Sequence, residues 1–298
     1  MVKKEKRVII WWFLIPMLVM YSIFFIYPLL LNILYSFLNW NGFTKSANWI
    51  GFENYRELLF DGLFWNAVKN SSLFALLGTI SQVVVSFFLA YLVEFHFHRR
   101  KKWYRTIFIL PIVATTATIG MLMKSLFSYE GLVNYVVTIL GGDPVPWLSD
   151  PRWAFFTVIL VSTWKETGTL FIYWIAGFQM ISPAVLEAAE IDGATGRTLL
   201  TRIILPMIQP VVVVVSTVTF LNALKVFDLI QTLTAGGPYF STDMVGTFIY
   251  RTAFSSSFGS PRLSYASSVA VLCVFFLVFC SLIVKVIKKI IARKDVFE

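Results

Sequence analysis

The chain has 298 residues, 58% of them hydrophobic and only 14% charged, with a net charge of +9. That composition lies outside the range of a soluble globular domain and marks an integral membrane protein. The positive charge does not point to nucleic acid, because the lysines and arginines fall in alternate loops, the distribution of a protein oriented by the positive-inside rule.

Six apolar stretches are long enough to cross a bilayer, which takes ~20 helical residues. The first, residues 8–37, contains Pro16 and Pro28, so a tilt, a kink or a partly interfacial course is expected. Basic residues precede it as in a signal peptide, but the run is too long and no small-residue cleavage site follows, so a retained helix is predicted. Residues 39–70 form an outer segment in which Tyr55, Leu58, Leu59, Phe64, Trp65 and Val68 make an apolar stripe at helical spacing. A helix lying flat at the outer interface is expected there. The second span is 71–93, followed by His96 and His98 beside a basic run, Arg99 to Lys102 with Arg105. No cysteine or carboxylate cluster completes a metal site, so both histidines read as solvated interfacial residues.

The third span is 107–127, with Lys124 near its outer end where it can snorkel. Residues 128–151 are outside, with Gly141, Gly142, Pro144 and Pro146 as breakers. The fourth and fifth spans, 154–180 and 207–229, flank a wet segment at 182–206. Residues 230–267 carry Gly236-Gly237-Pro238 and form the third outer segment before the sixth span at 268–291. Cys273 and Cys280 lie about 10 Å apart along that last helix and read as packing residues, not a disulfide. Lys3, Lys4, Lys6 and Arg7 precede the first span, Arg197 and Arg202 lie in 182–206, and Lys285, Lys288, Lys289, Arg293 and Lys294 close the chain. The expected fold class is an all-α integral membrane protein of six transmembrane helices, with both termini and segment 182–206 cytoplasmic.

Ionisable residues at membrane depth are costly and usually face a cavity or one another. Lys165 and Glu166 lie inside the fourth span, with Thr169 and Tyr173 along the same side. On the fifth span Thr219, Asn222, Ala223 and Val226 share one face, and Lys225 and Asp228 lie near its outer end. These two faces are predicted to flank a hydrated substrate path formed by Lys165, Glu166, Thr169, Tyr173, Thr219, Asn222, Ala223, Val226 and Asp228. Trp164 and Trp174 are candidates for stacking on a sugar ring. The competing reading makes the same charges structural, with Lys225 paired to Asp228 and the Lys165–Glu166 couple satisfied by neighbouring helices.

The segment 182–206 is acidic, glycine-broken and rich in small residues. Ser182 can cap a helix starting at Pro183, Asp192-Gly193 can end it in a left-handed turn, and Thr195 can open a second short helix. Ala188, Ala189 and Ala194 leave the backbone open to close approach. By spacing alone this is either an ordinary interhelical loop or a docking surface for another protein. No phosphate-binding glycine loop is present, since Gly193-Ala-Thr-Gly196 lacks the lysine, and no nucleophile, base or metal constellation appears. Energy for any transport must come from a second polypeptide or an ion gradient.

Glu187-Ala188-Ala189, Asp192-Gly193-Ala194 and Ile204-Leu205-Pro206 resemble the EAA signature of permease subunits in ATP-binding-cassette importers. Phe227 to Pro238, Ile249 to Phe254, Gly131 to Asn134 with Trp147-Leu148, Gly51 to Arg56 and Arg105 to Pro111 resemble the carbohydrate branch of that family, maltose and multiple-sugar permeases, in the expected order. Arg197, Leu199 and Leu200 depart from it, at places where the branch often has aromatic residues. The resemblance implies a type I importer permease in a prokaryotic cell membrane. It implies a sugar substrate, a second homologous permease in a heterodimer, two cytoplasmic ATPase subunits that bind ATP and Mg, and an extracytoplasmic sugar-binding protein. In that family the loop residues Glu187, Ala188, Ala189, Asp192, Gly193 and Ala194 couple to the ATPase, and the chain is no enzyme and holds no cofactor of its own. Competing classes are an ion-coupled carrier, for which the halves show no convincing internal repeat, a structural or receptor-like subunit, and an importer permease for a non-sugar solute.

Overall fold

The computed structural model describes residues 2–97, 101–255 and 260–294, with the side chains of 2–10, 280 and 283–294 outside that description. His98, Arg99, Arg100 and Cys280, and the basic side chains at both termini, therefore lie outside the described residues. The chain divides into two compact units, residues 1–62 with 248–279 and residues 63–247 with 280–298.

The first unit opens with α1 (Val2–Tyr21), a π-helical turn (Ser22–Ile26) and α2 (Tyr27–Tyr35). Pro28 has no N–H to give the carbonyl of Phe24, and the π turn just before it absorbs the missing bond. Between Trp11 and Tyr35 no residue is buried. A two-residue ladder, β1 (Leu38–Asn39) with β2 (Asn48–Trp49), turns the chain back antiparallel. Gly51 then takes a φ of +61°, a region open to glycine without strain, and leads into α3 (Glu53–Phe60). Asn54 of α3 donates to the carbonyls of Ser36 and Leu38 at 2.9 and 2.8 Å, and the Tyr55 hydroxyl meets Ser36 Oγ at 2.7 Å. The Gly51 to Arg56 motif is thus a clasp on the end of the first helix.

The expected flat interfacial helix is corrected. Its stripe is divided at Asp61, after which α4 (Gly62–Phe95) runs unbroken, so this helix starts nine residues before the predicted span. Leu58 and Phe64 are buried in protein instead of facing lipid. The start of α4 is tied down by Asn70, whose amide donates to the carbonyls of Phe240 and Asp243 at 3.0 and 3.1 Å.

In the second unit α5 (Lys101–Val113) and α6 (Thr116–Leu126) replace the single third span and meet at a 99° bend. Thr115 caps α6 by accepting from the Thr118 N–H, and Pro111 weakens the preceding turn. After α7 (Leu132–Ile139), α8 (Pro151–Phe178) is capped by Asp150 and starts on Pro151. Buried Asn134 of α7 donates to Tyr129 O and Val145 O and accepts from Val145 N–H and Trp147 Nε1, all at 2.9 Å. That network gives the Gly131–Asn134 and Trp147 motifs a common physical purpose.

Next come α9 (Pro183–Ile191), α10 (Gly196–Thr198), a π segment (Leu199–Ile204), α11 (Leu205–Met207) and α12 (Gln209–Leu224). The fifth span is also corrected: α12 stops at Leu224 and Asp228 opens a separate helix, α13 (Asp228–Leu233). The chain closes with α14 (Val245–Phe254) and α15 (Leu263–Lys294). Among the described residues, Trp11–Tyr35 and Gly62–Phe95 are long and apolar enough to cross a membrane, and three bent helix pairs raise the number to as many as five.

The core of the second unit is aromatic. Phe87 meets Trp174 edge-on at 5.3 Å and Phe178 at 5.8 Å, with Tyr91 and Phe171 in the same buried cluster. Gly168 lets α5 cross α8: a Cβ there would stand 2.6 Å from the Phe108 carbonyl oxygen.

Candidate functional site

Residues Ser162, Glu166, Thr169 and Tyr173 succeed one another on α8 at spacings of four, three and four, which keeps them on one face. Val218, Thr219, Asn222 and Ala223 form the facing wall on α12, and Val226 follows just beyond it. With Phe74 and Gln82 of α4 they enclose a cleft of about 90 Å³. The structure therefore brings together Glu166, Thr169, Tyr173, Thr219, Asn222, Ala223 and Val226 from the predicted set. A wider apolar groove of about 450 Å³ adjoins it, sharing Tyr173 and Val218 and running past Met180 and Pro210.

Two predicted residues lie elsewhere. Lys165 is off the cleft lining, and its ammonium bonds Glu166 Oε1 at 2.5 Å. The pair is only partly exposed, so Glu166 brings its own counter-charge to the cleft edge. Asp228 is also off the lining, because the chain breaks over residues 225–227 and re-aims it as the first residue of α13, where a carboxylate suits the helix dipole. Among the described residues no ion pair joins it to Lys225.

Both tryptophans proposed for sugar stacking are corrected as well. Trp174 is fully buried, and its indole N–H donates to Ser86 Oγ at 2.9 Å. Trp164 lines a different groove, between α4, α5 and α8. Sequence reasoning missed Gln82, whose amide donates to Ser162 Oγ at 2.9 Å and fixes that corner of the cleft. The signal was present, since a lone amide inside an apolar run needs a partner.

The segment 182–206 folds as two short helices around a turn. Ser182 takes an extended N-cap conformation before Pro183, yet its side chain makes no capping bond, contrary to expectation. Gly193 has φ +80°, and its N–H reaches Glu190 O at 3.0 Å while Ala194 N–H reaches Ala189 O at 2.8 Å, the two bonds of a Schellman cap. Glu187, Ala188, Asp192 and Gly193 are exposed, Ala194 is half-buried and Ala189 is buried. Leu186, Leu199, Leu200 and Leu205 pack on the aromatic core, and Ile204 belongs to it. A rigid base thus carries an open, small-residue crest.

On the first unit, Arg262 grips Glu57 through both guanidinium nitrogens at 2.6 Å and lies 4.2 Å over the Tyr265 ring. Tyr265 in turn donates to Asp61 at 2.7 Å. The Arg262 hydrogen bond holds the Glu57 carboxyl below the usual glutamate range, and the same bond raises the arginine. Burial, then the Asp61 bond, pushes the Tyr265 phenol well up.

A family model described as the binding-protein-dependent transport system inner membrane component matches residues 82–294. A probable ABC transporter permease of Bacillus subtilis, YurN, is 31% identical over 89% of this chain and 91% of its own length. The lactose transport system permease protein LacF of Rhizobium radiobacter is 30% identical, covering 87% of both chains. Among solved structures, a chain of a bacterial alginate ABC transporter, in complex with an alginate pentasaccharide-bound periplasmic protein, superposes with a TM-score of 0.79 and 26% identity, covering 95% of this chain and 94% of that one. With a helical permease fold of the type I importer kind, and a match spanning its cleft and its loop, this chain belongs to the family of binding-protein-dependent transport system inner membrane components.

Proposed function

We propose that the chain is one permease half of an ATP-driven, binding-protein-dependent sugar importer in a prokaryotic cell membrane. The observation that carries this reading is the polar cleft between α8 and α12, whose hydroxyl, amide and carboxylate groups suit a solute rich in hydroxyls. The lactose permease and the alginate transporter among the related proteins support the sugar class. Counting α1–α2, α4, α15 and the three bent pairs as one crossing each gives six, with both termini cytoplasmic by the positive-inside rule. The cleft is half of a path, completed by a second, homologous permease in a heterodimer.

ATP and Mg are held by two cytoplasmic ATPase subunits that dock on Glu187, Ala188, Ala189, Asp192, Gly193 and Ala194. Their closure pushes the loop as a lever, because its leucines are keyed into the core beneath it. The cleft then turns outward to receive sugar from the extracytoplasmic binding protein, and hydrolysis returns it inward, a two-state exchange biased by ligand.

Proteoliposomes containing the whole complex test this. Uptake is expected to require internal ATP and to survive a collapsed ion gradient, and Gly193→Val is expected to leave ATP hydrolysis running while uptake falls. Uptake that follows the gradient and ignores ATP would assign the chain to ion-coupled carriers.

A further inference from the structure

We propose that Glu166, on the wall of the polar cleft, restricts the path to uncharged sugars and turns away acidic and phosphorylated ones. This rests on the sugar reading above and sharpens it. Among the described residues, Glu166 is the one charged side chain on the cleft lining. Its counter-ion is kept off that lining. Neighbours in sequence leave a helix about 100° apart, so Lys165 reaches the carboxylate from outside the cleft wall. The ammonium bonds Glu166 Oε1 at 2.5 Å, and the lysine side chain is 19% exposed against 33% for the glutamate. The pair is neutral as a whole, but an occupant meets its negative end.

The rest of the wall is uncharged and biased towards accepting. Gln82 spends a donor on Ser162 Oγ at 2.9 Å, and its carbonyl oxygen has no hydrogen bond among the described residues. The same holds for Glu166 Oε2, the Thr169 and Tyr173 hydroxyls and the Asn222 amide. Thr219 gives its proton to Val215 O at 2.8 Å. Of the open groups, Gln82 Oε1 and Glu166 Oε2 can only accept, and none can only donate. A neutral sugar supplies the O–H donors such a wall asks for, and a hydroxyl bonds a carboxylate more strongly than an amide. A sugar carboxylate or phosphate brings acceptors instead. It would shed water with no cation on the lining to replace it, and would stand beside a like charge. The adjoining groove past Met180 has no charged residue on its lining, and Lys225 is on neither lining. Because Lys165 already supplies the counter-charge, the carboxylate does not call for a cationic solute either.

Saturation-transfer NMR on the purified complex, with the binding protein left out, reads which free sugars touch the permeases. The probes are neutral and acidic twins: maltose with maltose 1-phosphate, and the methyl ester of trigalacturonate with trigalacturonate itself. The neutral members are expected to give the signal and the acidic ones not, and Asn222→Ala should weaken it, which ties the contact to this cleft. Glu166→Gln frees the Lys165 ammonium and should raise binding of the acidic probes about tenfold, well inside what one charge exerts on another a few ångströms away. Lys165→Glu combined with Glu166→Lys keeps the pair but turns it round. It should invert the preference, and it stands in if Glu166→Gln does not assemble. Equal contact by both twins in the wild type, a neutral preference that survives the reversed pair, or a signal indifferent to Asn222→Ala would overturn the charge filter and leave the sugar reading standing. Silence from every probe would take down the sugar reading and this inference with it.

Discussion

Along α8, Phe171, Trp174 and Phe178 turn into a ring-packed core, whereas Ser162, Glu166, Thr169 and Tyr173, the last lying between Phe171 and Trp174, border the polar cleft. The core face is closed by edge-to-face rings and by glycine at the α5 crossing. The cleft face carries hydroxyls and a carboxylate, with Ser162 buried against the Gln82 amide. One helix thus separates two faces by angle alone: a packed core on one side and, on the other, the polar cleft proposed above to handle solute.

Substitutions on the two faces should therefore fail in different assays. The largest effect is expected at Gly168→Leu, where the added side chain meets the Phe108 carbonyl oxygen and the Ile112 side chain. α5 must leave α8, and assembled complex in the membrane should be lost on a size-exclusion profile. Trp174→Ala should cost about 3 kcal/mol, the lower end for a large aromatic, because lipid competes for apolar surface while the cavity term persists. It also strips Ser86 of the indole donor. Thermal unfolding of the detergent-solubilised complex measures it, with hydrolysis per assembled particle little changed.

On the cleft face, Asn222→Ala should lower uptake several-fold, since one hydrogen bond is worth about 1 kcal/mol, with no change in melting temperature. A lowered melting point without a transport defect would erase the distinction between the faces. The smallest effect belongs to neither face. Glu57→Gln loosens the clamp to Arg262 by about 0.5 kcal/mol, the scale of an exposed ion pair. The folded carboxyl titrates below its ordinary value, so its contribution is complete above the unfolded glutamate pKa of about 4.3 and is lost as pH falls through the lower, folded value. Wild type and variant should accordingly melt apart at pH 7 and converge in acid.

Much of the cleft was legible in the sequence, because helical spacing fixes which residues share a face: Glu166, Thr169 and Tyr173 on one wall, Thr219, Asn222 and Ala223 on the other. Spacing does not say what a face meets. Trp174 shows the gap, since in a bilayer lipid and protein core are both apolar and an indole is at home in either. Breaks were the second loss. Thr115 opens α6 through its hydroxyl, and Phe227 leaves helical geometry with no glycine or proline to announce it, so composition ran straight through both. The stop at Gly193 was readable, because a left-handed cap asks for that residue by name.

Asn134 has a wider consequence. Its single amide spends two donors on carbonyls and two acceptances on N–H groups, so it works as a keyed rivet whose polarity has a direction. Leucine would strand the Val145 N–H and the Trp147 indole, and aspartate would set one carboxylate oxygen against the two carbonyls that the amide nitrogen now serves. The stretch between residues 134 and 145 can therefore drift in sequence or change length only along routes that return those partners to the same spot, which makes this lobe a prefabricated part and not a pliable strap.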